Sequence, residues 1–461
     1  MRSLTRGVLA LLLGVAVLAP ATGSANVRPA SAPAPYRSAA KAVTAWNANA
    51  GKAAIAACIA PVDNPLHESH LYAMMHVAIH DAVNAIHRRS RPYAFFGRAQ
   101  AGASAKAAVA AAARGTLVPV LGQLTAPFGQ ECIDRGIASV EADYAAAIAA
   151  IPAGPGRWRG VAVGKAAAAA IVARRAGDGA DTPLLDFDYP QGRAPGEYRF
   201  TPDRPFAFAP GWGDVTPFVL RRSSQFRPGP PYAITGKKYA ADVREVKALG
   251  GDGQTTPSAR TPDQTQIAYF WLESSPLLWN RIARTVSRSQ HLDLWENARL
   301  FGLLNMALAD GYVGSFETKY HYKYWRPVTA IRGAATDGNP WTRADSTWTP
   351  LVTTPPIPDY DSAHAVEGGA AAAVFRRIFG TDRIAFSACS RLLPPGDSCD
   401  DPSPVLRHFR SFSQAAHENA LSRIYIGFHF RDAVETGVRH GRKIGNAAVS
   451  HFMRPVNGCR R

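Results

Sequence analysis

Apolar residues that recur at intervals of three and four dominate the sequence, and this rhythm restricts the chain to helical folds. In residues 65–87 the pattern runs through Leu71, Met75, Ala78 and Ala82. Three further stretches between residues 104 and 179 are rich in alanine, whose small side chain lets packed helices approach closely. Alternating strand patterns are scarce. We therefore predict an all-α protein built from helical bundles.

The composition changes between residues 178 and 262, where proline, glycine and aromatic residues become frequent. Flexible linkers lack such aromatic anchors, so we predict an extended segment that packs on the protein. This segment would join an N-terminal helical bundle at 26–177 to a C-terminal, catalytic helical bundle at 263–461. Within the second bundle, one helix is expected from Ala363 to Phe379, with Gly380 ending it.

The first 25 residues have the features of a secretory signal peptide. Arg2 and Arg6 begin it, residues 7–19 are apolar, and small residues follow at 23–25. The apolar run is too short for an ordinary membrane span, and no later stretch is both long and apolar enough. We therefore expect a secreted, extracytoplasmic protein with no membrane span. The sequence leaves the oligomeric state open.

Basic residues outnumber acidic ones by 52 to 35, which gives a formal net charge of +17. Such an excess favours anionic partners, but it is equally compatible with charge spread over the surface. No phosphate-loop or dinucleotide-binding glycine pattern accompanies the charge. Because charge alone is unspecific, a nucleic-acid partner is not expected.

Five cysteines are present and none belongs to a Cys-x-x-Cys pair, so a zinc cluster is not expected. In an exported protein they become candidates for disulfides. Cys389 and Cys399 flank SRLLPPGDS, a loop-like sequence, and form the first expected bridge. Cys58 with Cys132 is a second candidate pair, which leaves Cys459 unpaired.

Three segments of the second half carry the candidate chemistry. In KYHYKYWRP, Lys319 and Arg326 stand seven residues apart, so a continuous helix would project both from one face. In PDYDSAHA, Ser362 and His364 stand where the helix predicted from residue 363 begins. A helix N-terminus behind a proline-rich approach suits a bound anion.

The third segment, SRIYIGFHFRDAVETG, contains Arg423 and His429. These residues are six apart, which is about 240° around an ideal helix. A continuous helix would not aim them at one point. Gly427 lies between them, and we predict that the helix breaks there.

Together the three segments supply three fixed cations, a hydroxyl group, the N–H groups of a helix N-terminus and two histidines. Cations and oriented N–H groups suit a tetrahedral oxyanion, and the fork of an arginine matches pairs of its oxygens. Two histidines allow separate roles. One would bind or attack the central atom, while the other would move a proton.

The order and spacing of these residues resemble the three-part motif of the vanadium-dependent haloperoxidases and the type 2 phosphatidic acid phosphatases. Six residues separate Lys319 from Arg326, which a proline follows, and five separate Arg423 from His429. PDYDSAHA supplies the Ser–His pair between them. The helical first half and ARLFGLLNMALADGYVGSFETKYHYKYWRP also look like the bacterial haloperoxidase-like branch. The resemblance therefore spans most of the chain.

The resemblance implies a role for each site residue. His429 would be the axial ligand of vanadate, or the nucleophile toward phosphate. His364 would be the acid–base group near the apical oxygen. The equatorial oxygens would be held by Lys319, Arg326, Ser362, Arg423 and the backbone N–H of Ala363.

Three functions remain open at this point. The first is an exported vanadate-dependent haloperoxidase that uses hydrogen peroxide to oxidise a halide, with a small organic molecule as acceptor. The alternative is an acid phosphatase that cleaves a phosphoester through a phosphohistidine at the same site. The third is a non-catalytic, basic anion-binding protein.

The chain also departs from the family pattern. Ala363 replaces a frequent glycine, but its backbone N–H is retained. Many members have an aspartate four residues after the axial histidine, where this chain has Ala433, so Asp432 or another carboxylate would orient the ring. Ile357 and Phe316 match neither the fungal chloroperoxidases nor the algal bromoperoxidases. Chloride oxidation is therefore not expected.

Ser362 and its neighbours also have simpler interpretations. Asp361 or Ser362 could merely cap the helix, as either residue often does. A Ser–His–Asp hydrolase would need a Gly-x-Ser-x-Gly elbow, which the sequence lacks, and a serine cannot easily reach a histidine two residues away.

Other polar residues have a structural interpretation. His76 and His80 are four apart and could bind a metal. Their apolar neighbours and the lack of a clear third ligand favour burial instead, with His80 and Asp81 as a polar pair between helices. Lys323 and His321 do not fit the motif spacing and are expected at the rim or surface.

Overall fold

Helices account for most of the backbone in residues 34–124 and 129–456, the part of the chain that this computed structural model describes. The predicted all-α class is confirmed. The predicted signal peptide and Cys459 lie outside the described residues. The α-helices are α1 (Ala34–Ala56), α2 (Pro65–Ile86), α3 (Ala105–Gly122), α4 (Gln130–Ala149), α5 (Pro155–Arg175), α6 (Lys237–Leu249), α7 (Pro262–Phe270), α8 (Ser275–Ser289), α9 (Leu294–Tyr322), α10 (Pro327–Gly333), α11 (Ala363–Phe379), α12 (Phe412–Tyr425) and α13 (Arg431–His451).

Strands are short and few among the described residues. Strand β1 (Leu185–Asp186) pairs antiparallel with β2 (Ala207–Phe208), and β3 (Phe386–Ala388) pairs antiparallel with β4 (Arg407–Phe409). The first pair lies in the segment predicted to be extended. None of the described helices is long and apolar enough to cross a membrane.

The segment between 178 and 262 is not extended throughout, and the prediction is wrong for 237–249, which form α6. Tyr239, Ala240, Val243 and Val246 face the interior from this helix. Their spacing of three and four is a helical pattern, which the surrounding prolines and glycines obscured. Helix α6 is relevant to the predicted anion site because its Tyr239 lines a cavity together with Asp359.

One hydrophobic core joins helices from both sides of this segment. It includes Trp46 of α1, Leu117 of α3, Phe301 of α9 and Phe375 of α11. Two smaller clusters flank the second half: one around Trp325, Trp348 and Phe430, the other around Trp212, Phe316 and Ala363. The predicted boundaries at 177 and 262 stay predictions.

Three glycines bring α13 against the start of α11. Gly437, Gly441 and Gly445 recur every four residues and so share one helix face. A Cβ atom on Gly441 would overlap the carbonyl of Val366, and the other two glycines also face α11 backbone atoms. The backbones can therefore approach closely, which fixes the end of α11 where Ser362 lies.

Asp310 in the middle of α9 anchors the non-helical segment, which is the stretch at 178–236 that contains no α-helix. Its carboxylate accepts hydrogen bonds from the backbone N–H groups of Phe218 at 2.6 Å, Val219 at 2.7 Å and Leu220 at 2.7 Å. Asp310 is fully buried, and burial raises the pKa of its carboxyl to about 6. One side chain thus satisfies three consecutive backbone donors of a segment that has no helix there.

Replacing Asp310 with alanine would leave these three N–H groups without an acceptor. We expect Asp310→Ala to lower the free energy of unfolding by roughly 3 kcal/mol or more, and Asp310→Asn, which keeps one acceptor, to lower it less. Denaturant titration measures this loss. Trypsin should also cleave faster after Arg221 and Arg222. The exposed Asp188→Ala serves as control, and equal stability of both alanine variants would contradict the anchor.

Both predicted disulfides are present. Cys58 and Cys132 join the end of α1 to α4 across 74 residues of sequence, and Cys389 and Cys399 close a loop across 10. The predicted polar pair is also confirmed, since His80 Nδ1 lies 2.9 Å from a carboxylate oxygen of Asp81.

The two bridges should contribute unequally because the longer loop restricts the unfolded chain more. We expect the Cys58→Ser/Cys132→Ser variant to lose about 4 kcal/mol and the Cys389→Ser/Cys399→Ser variant about 3 kcal/mol of unfolding free energy. Urea titration of both variants and of the wild type measures the difference. A larger loss from the short loop would contradict the chain-entropy explanation.

Candidate anion site

Each predicted site residue lies at or near the end of a helix. Lys319 is in the last turn of α9, Arg326 is the N-cap of α10, and Ser362 is the N-cap of α11. Arg423 is in the last turn of α12, and His429 lies in the connection between α12 and α13. His364 is the second residue of α11. Helix ends from four elements therefore meet at one place.

Lys319 and Arg326 do not project from one continuous helix face, so that prediction is wrong. Helix α9 ends at Tyr322, and Lys323 follows in the left-handed region at φ 48°. The chain then turns, and both cations contact the backbone of residues 357–359 instead. Lys319 Nζ donates to the carbonyl oxygens of Pro358 at 2.8 Å and Asp359 at 2.9 Å, while Arg326 Nε donates to Ile357 at 2.6 Å.

The predicted break at Gly427 is confirmed. Helix α12 ends at Tyr425, and Gly427 takes a positive φ of 85°. A side chain there would be strained and would also meet the carbonyl of Gly250. The turn brings His429 back, so that its backbone N–H donates to the Arg423 carbonyl at 3.2 Å.

Several polar atoms of the site are buried and have no hydrogen-bond partner among the described residues. They are Arg326 Nη2, Ser362 Oγ, His364 Nε2 and Arg423 Nε. Ser362 occupies the N-cap position of α11, yet its side chain makes no capping hydrogen bond. The interpretation of Ser362 as a mere cap is therefore wrong. Buried donors without acceptors are costly, and a tetrahedral oxyanion would accept from all of them.

Burial and mutual repulsion shift the ionisation of these groups. Burial lowers the pKa of His429 and of His364 well below the usual histidine value, and the neighbouring cations lower both further. Burial likewise lowers the pKa of Arg326 to about 10 and that of Arg423 to about 9. The pKa of Lys319 falls for the same reason and because Arg326 is near. These shifts favour the neutral form of both imidazoles, and the cations favour an anion beside them.

The fit to vanadate follows from this donor set. Vanadate and phosphate are tetrahedral oxyanions, and the site offers cations, a hydroxyl and one neutral imidazole to such a group. The described residues contain no group of three or more His, Cys, Asp or Glu side chains placed to hold a metal ion. An oxyanion held through its oxygens and one histidine does not require such a group.

An apolar wall borders the site at Ala363. Ala363 belongs to a cluster with Phe316 and Trp212, and Ile357 packs against that cluster. Phe208, the last residue of β2, packs there as well. The two positions that the sequence singled out for a halide pocket, 316 and 357, therefore lie beside the same site residue, and the non-helical segment completes the wall.

The carboxylate next to His429 is Asp359, which the sequence analysis did not name. Asp359 Oδ1 lies 2.9 Å from His429 Nδ1, and the side chain is buried. Burial raises the pKa of the Asp359 carboxyl, while the adjacent cations Arg326 and Lys319 lower it. Asp432 instead accepts from the backbone N–H of Tyr232 at 3.1 Å, so of the two alternatives, Asp432 or another carboxylate, the structure favours the second.

The remaining candidates lie elsewhere. His321 is exposed, and its Nε2 is 3.4 Å from Arg227. Lys323 caps α9 and is exposed. His76 Nε2 accepts a hydrogen bond from Asn47 Nδ2 at 2.8 Å inside the core, which agrees with a structural role.

Comparison with known proteins identifies the second half most directly. Residues 299–458 match the family model of the VCPO second helical-bundle domain, and this range includes every predicted site residue. The predicted resemblance to the vanadium haloperoxidases is confirmed. Vanadium chloroperoxidase of Curvularia inaequalis is 29% identical over 289 residues, which cover 50% of this chain and 47% of that protein. The alignment thus spans about half the length of this curated relative.

Solved structures extend the similarity to nearly the whole chain. The crystal structure of a bacterial vanadium-dependent iodoperoxidase superposes with a TM-score of 0.73 at 24% identity, covering 91% of this chain and 98% of that one. The holo form of a bacterial vanadium-dependent chloroperoxidase gives a TM-score of 0.66 at 16% identity, covering 87% and 94%. At these identities the superpositions establish a shared fold.

The site geometry predicts which lysine an oxyanion needs. Phosphate at about 100 times its Kd should stabilise the wild type by about 2.7 kcal/mol, because it binds only the folded state. Lys319→Gln should lose most of this stabilisation, whereas Lys323→Gln, from the same segment but outside the site, should keep it. Thermal unfolding with and without phosphate, at constant ionic strength in chloride, measures both. Equal responses of the two variants would contradict the site.

Proposed function

We propose that this protein is an exported vanadate-dependent haloperoxidase that uses hydrogen peroxide to oxidise a halide. The observation that carries the proposal is the convergence of unpartnered, buried donors beside a neutral histidine. Its similarity to a chloroperoxidase and an iodoperoxidase favours peroxidase chemistry over phosphate-ester hydrolysis. The signal-like N-terminus and two disulfides support export.

In this proposal each residue of the anion site has its own role. Lys319, Arg326 and Arg423 would neutralise the oxygens of vanadate, and Ser362 Oγ and the Ala363 N–H would donate to them. His429 would hold the vanadium, since a neutral imidazole offers a lone pair. When bound, vanadate would supply the Lewis acidity that activates hydrogen peroxide toward a halide.

His364 would move the proton. Its Nε2 is buried and unpartnered, while the residue as a whole is partly exposed. A neutral imidazole at this position could accept a proton from hydrogen peroxide at Nε2 and donate that proton again later in the reaction. The apolar wall around Phe316 and Ile357 would keep water from that step.

An acid phosphatase remains the second candidate because the same donors fit phosphate equally well. In that case His429 would attack phosphorus and water would release the phosphohistidine. The specific observation in its favour is the neutral His429, which is as well suited to nucleophilic attack as to metal ligation. The non-catalytic binding protein predicts neither activity.

Activity assays separate the candidates. Chelator-stripped protein should oxidise iodide or bromide with hydrogen peroxide only after orthovanadate is added, and chloride poorly or not at all. Hydrolysis of p-nitrophenyl phosphate that vanadate inhibits, without halide oxidation, would instead support the phosphatase. Neither activity, together with no effect of vanadate on thermal stability, would support a non-catalytic protein.

Substitution of the two histidines should affect vanadate affinity and turnover differently. His429→Ala should abolish turnover and weaken vanadate binding by more than the roughly 100-fold that loss of an outer partner costs. His364→Ala should leave vanadate affinity within a few-fold but lower kcat by about 10²–10⁴-fold. Calorimetric titration and steady-state kinetics measure both. Retained activity in the first variant, or equal losses of affinity in both, would contradict the division of roles.

A further inference from the structure

Asp359 is held in place from two directions. Its backbone carbonyl accepts from Lys319 Nζ at 2.9 Å, and its own N–H donates to the carbonyl of Tyr324 at 2.8 Å. These bonds fix the backbone, so the side chain has little freedom of direction. It points at His429, with 2.9 Å between Oδ1 and the ring Nδ1. The contact has hydrogen-bond length, but Oδ1 makes no hydrogen bond of good geometry with any described residue in the unliganded protein.

The tautomer of His429 follows from its other neighbour. Arg326 Nη1 lies 2.9 Å from His429 Nε2 and 3.4 Å from Nδ1, so the shorter contact is the one to Nε2. A guanidinium group has only donors, so Nε2 must accept. A neutral imidazole carries one proton, which is therefore on Nδ1 and faces Asp359. The lone pair of Nε2 is thus directed at the Arg326 guanidinium, which borders the anion site, and a bound oxyanion would replace this contact.

A small cavity lies behind this pair. It has a volume of about 10 Å³ and is lined by Asp359, Tyr239, Asp242, Asp432 and Ala433 among others. Asp359 Oδ1 and Tyr239 Oη are buried and have no aligned hydrogen-bond partner among the described residues. A cavity of this size with two polar groups holds about one water molecule.

The other carboxylates of the cavity are already occupied. Asp432 accepts from the backbone N–H of Tyr232, and Asp242 accepts from the backbone N–H of Asp432 at 2.9 Å. Both tie α6 and the preceding loop to the start of α13. Ala433 contributes no polar group. Asp359 is therefore the carboxylate of this cavity that contacts the histidine.

We propose that Asp359 is the positioning residue of the anion site. It keeps the proton of His429 on Nδ1 and presents Nε2 to the oxyanion, and one buried water that bridges Asp359 to Tyr239 Oη holds the carboxylate in turn. This deepens the proposed function by assigning the orientation of its axial histidine. The arrangement of the unliganded protein does not depend on which oxyanion binds or on which reaction follows.

The first test needs no variant and no vanadate. Nitrogen-15 NMR of histidine-labelled protein reports which ring nitrogen of His429 carries the proton, with His429→Gln used to assign its signal. We expect the Nδ1–H tautomer. An Nε2–H tautomer in the wild type would overturn the proposal. Because this measurement uses the unliganded protein, it stands even if the protein proves to have no peroxidase activity.

The second test compares two isosteric substitutions in one cavity. Asp359→Asn should shift His429 toward the other tautomer and weaken vanadate or inorganic phosphate binding about 10–100-fold. Asp432→Asn, the matched control, should leave tautomer and affinity unchanged. Equal weakening by both variants would indicate a general electrostatic effect and overturn the positioning role, as would unchanged affinity and tautomer in Asp359→Asn.

The third test concerns the water. A high-resolution crystal structure should contain a water within hydrogen-bond distance of Asp359 Oδ1 and Tyr239 Oη, and Tyr239→Phe should lose it and bind the oxyanion a few-fold more weakly. A dry cavity in the wild type would overturn this part of the proposal. If Asp359→Asn fails to fold, Tyr239→Phe and the wild-type tautomer still decide the question.

Discussion

Three cations buried within reach of one another are the constraint on which the second half of the structure depends. Lys319, Arg326 and Arg423 lie in a largely apolar interior, where their repulsion and their loss of solvent are both unfavourable. The chain compensates with oriented backbone carbonyls at residues 357–359 for the first two, and at Trp271 for Arg423. The donors that remain unpartnered define where an anion fits. Stability and binding are thus two results of the same arrangement.

The surrounding fold fixes the positions of these groups relative to one another. The glycine face of α13 lets α11 begin against it, which fixes Ser362, and the turn at Gly427 returns His429 to the same point. Asp310 attaches the non-helical segment to α9, and this segment closes the apolar wall beside Ala363. Parts of the chain far apart in sequence are therefore needed for a site whose named residues all lie between 319 and 429.

Much of this could be predicted because spacing encodes geometry. The helical rhythm predicted the fold class, and the order and spacing of the three motif segments predicted the candidate site residues. Gly427 had to break a helix for Arg423 and His429 to meet. The prediction failed where the chain turned unexpectedly. A left-handed Lys323 separates Lys319 from Arg326, and α6 was hidden among prolines and glycines. Asp359 was missed because its partner, His429, is distant in the sequence, and such a contact leaves no local pattern.

A crystal structure of the protein soaked with orthovanadate, with anomalous data collected at the vanadium edge, tests the central claim most directly. The account predicts a single strong anomalous peak within bonding distance of His429 Nε2. Lys319, Arg326, Ser362 and Arg423 should donate to the surrounding oxygens. A peak at another place, or no peak at saturating vanadate, would contradict the claim that these buried cations and His429 form one oxyanion site.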